Sequence, residues 1–143
     1  MNADRIFLDA NILVYAHDLG EPVRRAKAVR ILEACWASPV PPSISIQVLQ
    51  EVHVTLVKKG LPLQESIETV SEFLLWNVVE NRVGVFRHAM DVQRRHQLSF
   101  WDASIVAAAQ ASGAAELWSE DFQHERDYDG VLVRNPFLEE SGV

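Results

Sequence analysis

Cysteine is almost absent from this chain. Cys35 stands alone, so no internal disulfide can form and no Cys-rich zinc site can be built. Such sparing use of cysteine suits a reducing cytoplasm. No apolar run approaches the roughly 20 residues that a membrane helix needs. The opening Met1-Asn2-Ala3-Asp4-Arg5 lacks the basic, apolar and cleavage-site succession of a signal peptide. Among the five histidines no His-Glu-x-x-His pair occurs, which excludes that zinc-hydrolase pattern. Gly-x-Ser-x-Gly and P-loop motifs are missing too, which argues against serine hydrolases and NTPases of those types. Positive charge is in deficit: 13 basic against 20 acidic residues leave a formal charge of −7. An acidic surface repels nucleic acid at long range. A bound divalent cation reverses the field locally, so the deficit does not exclude an enzyme that acts on nucleic acid.

What remains is a chain of 143 residues, 48% of them hydrophobic. This length fits one domain over 1–143, able to bury about two-thirds of its unfolded surface. Internal repeats, low-complexity tracts and linkers are not found. Ile6-Phe7-Leu8 reads as a buried strand, with a short helix over 11–17 after it. Pro22 suits the opening of a second helix, to about Ala37, with Ala26, Val29, Leu32 and Ala34 expected inside. A proline-rich break leads to a short strand over 42–44. Val48, Leu49, Val52 and Leu56 then form one helical stripe within 45–59. Further helices are expected over 63–75, 83–96 and 99–112, a strand or connection over 77–79, and strands over 116–118 and 131–133 around a polar loop. Strands alternating with helices predict an α/β domain with a mainly parallel central sheet. Ligands in such sheets sit at the carboxyl ends of the strands.

Four acids bear on that edge. Asp9 directly follows the first strand, where it can cap a helix and equally present a fixed carboxylate. Glu51 lies inside a helix beside the apolar stripe, as a solvated flank residue or as a carboxylate reaching over the sheet. Asp102 stands three residues after Ser99, the spacing of a capping box. Asp121 follows the 116–118 strand, with Glu120, Asp127 and Asp129 as neighbouring competitors. Each alone has a structural explanation. Together they are more telling, because three of the four follow proposed strands or lie in or at the helix opening after them. Carboxylates crowded at one edge repel and take up protons. An oxygen-only donor set of this kind suits Mg²⁺ or Mn²⁺ rather than zinc.

The same residues carry a family resemblance. The segments are Phe7-Leu8-Asp9-Ala10-Asn11-Ile12-Leu13-Val14-Tyr15-Ala16, Ile44-Ser45-Ile46-Gln47-Val48-Leu49-Gln50-Glu51, Leu98-Ser99-Phe100-Trp101-Asp102-Ala103 and Ser119-Glu120-Asp121-Phe122-Gln123-His124. The last continues through Asp129-Gly130 to Asn135-Pro136-Phe137. In order and spacing the chain resembles a PIN-domain ribonuclease, specifically the VapC-type toxin of type II toxin–antitoxin pairs. The resemblance implies a PIN-like three-layer α/β/α fold and Mg²⁺-dependent hydrolysis of RNA that leaves a 3′-hydroxyl and a 5′-phosphate. It makes Asp9, Glu51, Asp102 and Asp121 the catalytic and metal-holding acids, with Asn11 and Ser119 in support. It also implies RNA as substrate, a cognate antitoxin protein whose C-terminal segment lies in a groove near the site, and a homodimer.

Other features are read as structural. The histidines are expected at the surface or in packing, with His124 nearest the site. Trp36, Trp76, Trp101 and Trp118 are expected mostly in the core, as is Cys35. The basic groups Arg24-Arg25, Lys27 and Arg30, and Arg94-Arg95-His96, read as solvated helix faces or as phosphate contacts. Two alternatives stay open at this level: a metal-dependent phosphohydrolase for small phosphate esters, and a catalytically inactive partner-binding module. An aspartyl-phosphate enzyme usually wants a second acid two residues after the first, and here that position is Asn11.

Overall fold

A computed structural model describes residues 2–138. Six strands form one sheet in the order β3-β2-β1-β4-β6-β5. They are β1 (Ile6–Leu8), β2 (Ser43–Ser45), β3 (Asn77–Val79), β4 (Glu116–Trp118), β5 (Asp127–Tyr128) and β6 (Val131–Arg134). The first four and β6 pair in parallel, and β5 adds an antiparallel edge. β1 and β4 are central, and Phe7, Leu8 and Leu117 are fully buried, as expected of parallel strands covered on both faces.

Six helices cover the sheet: α1 (Ala10–Tyr15), α2 (Pro22–Ala37), α3 (Ile46–Lys58), α4 (Leu63–Phe73), α5 (Val83–His96) and α6 (Phe100–Ser112). α6 touches β2, β3, β4 and β6, and α5 lies against α6. α1 packs on α2 and α3, and α3 packs on α4. The result is the mainly parallel sheet that the alternation predicts, in the three-layer α/β/α arrangement that the resemblance implies. Among the described residues, no helix is long and apolar enough to cross a membrane.

Local chemistry sets the helix starts. Ser45 ends β2 and caps α3, its Oγ accepting from the Val48 N–H at 3.2 Å. Ser99 caps α6 by accepting from the Asp102 N–H at 3.1 Å. α6 stops at Gly113, whose φ of +80° is a left-handed conformation that glycine adopts without strain.

Three expectations need correction. On α2 the buried face is Ala28, Ile31, Leu32 and Cys35; Ala26 is exposed, and Val29 and Ala34 are half-buried. The stripe runs one step round the helix from the expected one, and in an alanine-rich helix little in the sequence distinguishes the two. Of the tryptophans, Trp76 and Trp118 are buried, whereas Trp36 and Trp101 are exposed. Part of the polar loop after β4 is the strand β5. It returns to β6 through Asp129 and Gly130, both at positive φ, in a two-residue turn that suits Asp-Gly. That dipeptide was the available signal for the hairpin.

Cys35 is in the core as expected, and burial pushes its thiol up to about 12. The thiolate, not the thiol, is the reactive form. The native protein at pH 8 should therefore leave a thiol reagent unreacted, and one equivalent should react on unfolding in urea. Immediate reaction of the native protein would contradict this packing.

Candidate active site

The chain reverses direction across the sheet between β1 and β4. Strands β1 to β3 build outward on one side, then β4 and β6 on the other. Such a switch point opens a crevice at the carboxyl ends of the two strands. Leu8 pairs in register with Trp118, so the next residues, Asp9 and Ser119, meet at the crevice floor. The Asp9 N–H donates to the Trp118 carbonyl at 3.0 Å, which holds the two strand ends together.

Asp9 is the buried centre of the group. Its Oδ1 accepts from the Ala10 N–H at 2.8 Å, and its Oδ2 accepts from the Ser119 hydroxyl at 2.7 Å. The expected cap is thus real, and it coexists with a carboxylate held in one orientation. Burial pushes the Asp9 carboxyl up to about 6; its two hydrogen bonds oppose the shift, and the charges of Asp121 and Glu51 reinforce it. The site therefore holds more negative charge than its surroundings solvate.

Ser119, itself buried, also accepts from the Asp121 N–H at 3.0 Å. The Asn11 Nδ2 donates to Asp121 Oδ2 at 3.1 Å and lies 3.4 Å from Ser119 Oγ. Removing the Ser119 hydroxyl deprives Asp9 of a donor that favours its ionised form. Ser119→Ala should raise the Asp9 pKa further and cost about 1–3 kcal/mol of stability. Carbon-13 titration of the carboxyl and thermal melting check both effects.

Glu51 projects from α3, where its Oε1 accepts from Gln47 Nε2 at 2.9 Å. The same Gln47 amide lies 3.3 Å from the Trp101 carbonyl, which joins α3 to the start of α6. Asp102 stands on that α6 terminus. The charges acting on Asp9 are those of Asp121 and Glu51; Asp102 is not among them, and its neighbour Trp101 meets the Gln47 amide that holds Glu51. Among the described residues, no three Asp, Glu, His or Cys side chains converge closely enough to hold a metal ion. Asp121 and Glu51 are instead turned to amide partners. The donor set fits a hard divalent cation in its chemistry, being all oxygen and short of counter-charge; its side chains would have to swing inward to bind one.

The neighbouring acids have other partners. Glu120 accepts from the Tyr15 hydroxyl at 2.5 Å and from Arg24 Nε at 2.7 Å. Burial, reinforced by the bond to Glu120, pushes the Tyr15 hydroxyl up to about 12, so it keeps its proton. Asp127 accepts from the Gly130 N–H, and Asp129 is paired with Arg95 and His96. Of the acids after Ser119, Asp121 is the one whose charge acts on Asp9. His124 accepts from the Asn135 N–H through Nδ1, a packing role. Among the basic residues, Arg24 is paired with Glu21 and Glu120, and Lys27 donates to the Pro136 carbonyl.

An open cleft of about 520 Å³ reaches Glu51 and Asp121 of this group, lined in part by Asn11, Tyr15, Gln50, Glu51, Lys59 and Asp121, but not by Asp9 or Asp102. Gln47, Gln50 and Lys59 were not singled out from the sequence as site residues. Gln47 precedes Glu51 by one helical turn, a spacing that puts both on one face and was the signal available.

Comparison with known proteins agrees with this architecture. Among solved structures, the chain is similar to VapC20 of Mycobacterium tuberculosis, a sarcin–ricin loop cleaving toxin, with 20% identity and a TM-score of 0.64, over 78% of this chain and 86% of that one. It is similar to a chain of a toxin–antitoxin complex from Klebsiella pneumoniae, with 23% identity and a TM-score of 0.67, over 92% and 97%. It is also similar to a chain of VapBC2 from Rickettsia felis bound to a DNA fragment from the promoter, with 17% identity and a TM-score of 0.64, over 91% and 97%. No curated protein matches the sequence. The family model for the PIN domain matches residues 6–128. The matched span takes in β1 to β5, the switch point and all four acids, and the chain belongs to the PIN domain family.

Proposed function

We propose that this protein is a Mg²⁺-dependent endoribonuclease, the toxin of a toxin–antitoxin pair, with Mn²⁺ as an alternative metal. The observation that carries the reading is the buried Asp9 carboxylate, pushed up to about 6 by burial and by the charges of Asp121 and Glu51 at the sheet's switch point. A site built this way is incomplete without a cation. Asp9, Glu51, Asp102 and Asp121 would hold the metal. When bound, it supplies an activated water and counter-charge for phosphoryl oxygens.

The chain's own residues do the rest. Ser119 fixes the Asp9 carboxylate in one rotamer, and Asn11 does the same for Asp121. Gln47 holds Glu51 beside the α6 terminus. The α6 N-terminus adds positive dipole charge where Asp102 stands, which favours an anion nearby. No side-chain nucleophile is required. The structural neighbours described as toxin–antitoxin complexes support an antitoxin partner, and a homodimer in the cytoplasm completes the proposal.

The phosphohydrolase alternative is weakened by Asn11. The position where an aspartyl-phosphate enzyme wants its second acid is occupied by an amide that positions Asp121.

The test is incubation of total RNA with purified, antitoxin-free protein in Mg²⁺, Mn²⁺ or EDTA, beside Asp102→Asn. Discrete fragments that require the metal and largely disappear in the variant are expected. Intact RNA in every lane, from folded protein, would overturn the reading.

A further inference from the structure

Beside the acidic cleft runs a second, mainly apolar groove of about 410 Å³. Val83, Phe86, Phe100 and Trp101 form part of its wall, and the amides of Gln47 and Gln50 lie along it. Gln50 lines both this groove and the cleft. Gln47 bridges them, with its amide on Glu51 at 2.9 Å and near the Trp101 carbonyl at 3.3 Å. The aromatic wall is a run of edge-to-face contacts, Phe86 on Phe100 at 5.7 Å and Phe100 on Trp101 at 5.3 Å. Trp101 ends the run, 67% exposed, one residue before Asp102. Its contact with Phe100 is edge-to-face, which leaves an indole face open.

We propose that this groove is a nucleobase subsite: Trp101 stacks on one unpaired base of the RNA, next to the phosphate held at the acidic cleft, while the Gln50 amide meets the base edge. The proposal rests on the ribonuclease reading above and names the part of the substrate that the site grips. Two observations select a base as the occupant. The groove adjoins the cleft at Gln50, which lines both, so a nucleotide beside one held in the cleft is within reach of it. A large, solvent-facing indole beside an amide matches how unpaired RNA bases are bound, by stacking on an aromatic face and hydrogen bonds to their edges. A hydrophobic side chain of a protein partner would use the apolar wall and leave the Gln50 amide unused.

The experiment measures binding of short single-stranded RNA in the Asp9→Asn chain, which keeps the RNA intact, by fluorescence anisotropy. A matched set replaces each base in turn by an abasic position. Adding Trp101→Ala should weaken binding by about tenfold to a hundredfold, the scale of losing one base stack. Trp101→Phe should retain most of the affinity. One abasic position should weaken the Trp101 chain and leave the Trp101→Ala chain unchanged. Trp101 is exposed, so the melting temperature should not move.

Equal affinity of the Trp101 and Trp101→Ala chains, or no abasic position that matters, would overturn the subsite. The total-RNA assay reads the ribonuclease proposal separately: cleavage by wild type alongside equal affinities sinks the subsite alone. Base-dependent binding by a wild-type chain that cleaves nothing sinks the ribonuclease alone. Absence of RNA binding overturns the subsite. Loss of binding to a partner protein in Trp101→Ala, with RNA affinity unchanged, would reassign the groove to a protein.

Discussion

Replacing Asp9 by Asn should remove metal-dependent RNA cleavage and, at the same time, stabilise the metal-free protein at neutral pH. The loss of activity should be about a thousandfold, the scale of removing one charge-stabilising group at a reacting centre. The gain in stability follows from the same environment. Asp9 is buried and its carboxyl is pushed up to about 6 from an ordinary value near 3.8, so the folded state binds its proton more tightly than the unfolded state does. The stability this group contributes is fully present below about 3.8 and is lost as pH rises through about 6. Above that, the ionised carboxylate burdens the metal-free fold by up to about 3 kcal/mol. Asparagine has the same shape and no charge. Urea titrations in EDTA at pH 7.5 should therefore find Asp9→Asn more stable than wild type, with the difference shrinking below pH 6 and gone near pH 4. Added Mg²⁺ should stabilise wild type and leave the variant little changed, because a ligand that binds only the folded state stabilises it by mass action. A variant less stable than wild type at pH 7.5 in EDTA would contradict the site's electrostatics.

The second large effect is expected at Leu117, a core position rather than a charged one. Leu117 is fully buried in β4, in register with Phe7 on β1 and Val133 on β6. Leu117→Ala should cost about 3 kcal/mol through lost apolar burial and the cavity left behind. In a chain of this size that lowers the melting temperature by roughly 10 °C. Leu132 on β6 is a matched control, because it is half-turned to solvent; Leu132→Ala should cost about 1 kcal/mol or less. The site should feel the core change as well. Ser119 and Asp121 continue directly from β4, and the Trp118 carbonyl receives the Asp9 N–H. Leu117→Ala should lower Mg²⁺ protection of the folded state along with its melting temperature, whereas Leu132→Ala should leave that protection intact. Equal losses from the two substitutions would mean that β4 is not the strand on which the core and the site depend.

The elements were legible wherever their signals are short-range. Ile6-Phe7-Leu8 reads as a buried strand because all three side chains are apolar and a parallel strand buried on both faces needs such a run. Ser45 and Ser99 announce their helices because a cap is a contact over three residues. The mainly parallel sheet followed from the alternation, since parallel strands need crossovers long enough to hold helices. The readings that failed depend on rotation or on partners elsewhere. Ala26 and Ala28 are chemically identical, and only the position of the neighbouring elements decides which one is buried. Trp101 resembles the core tryptophans in type, but the first turn of α6 directs it outward.

The same division runs through the site. Composition and order by themselves determined that four acids are available, that no zinc-type histidine pair or Cys-rich site competes for the chemistry, and that Asp9 stands where it can cap a helix directly after a strand. Only the tertiary structure decided that Asp9 and Ser119, 110 residues apart, share a hydrogen bond, that Asp121 rather than Glu120, Asp127 or Asp129 acts on Asp9, and that Glu51 and the Asp102 terminus meet through Gln47. The reason is physical. A propensity or a cap is settled by atoms a few residues away. The pKa of a carboxylate and the exposure of an indole are settled by whatever the sheet brings alongside, and strand register, not sequence distance, determines that neighbour.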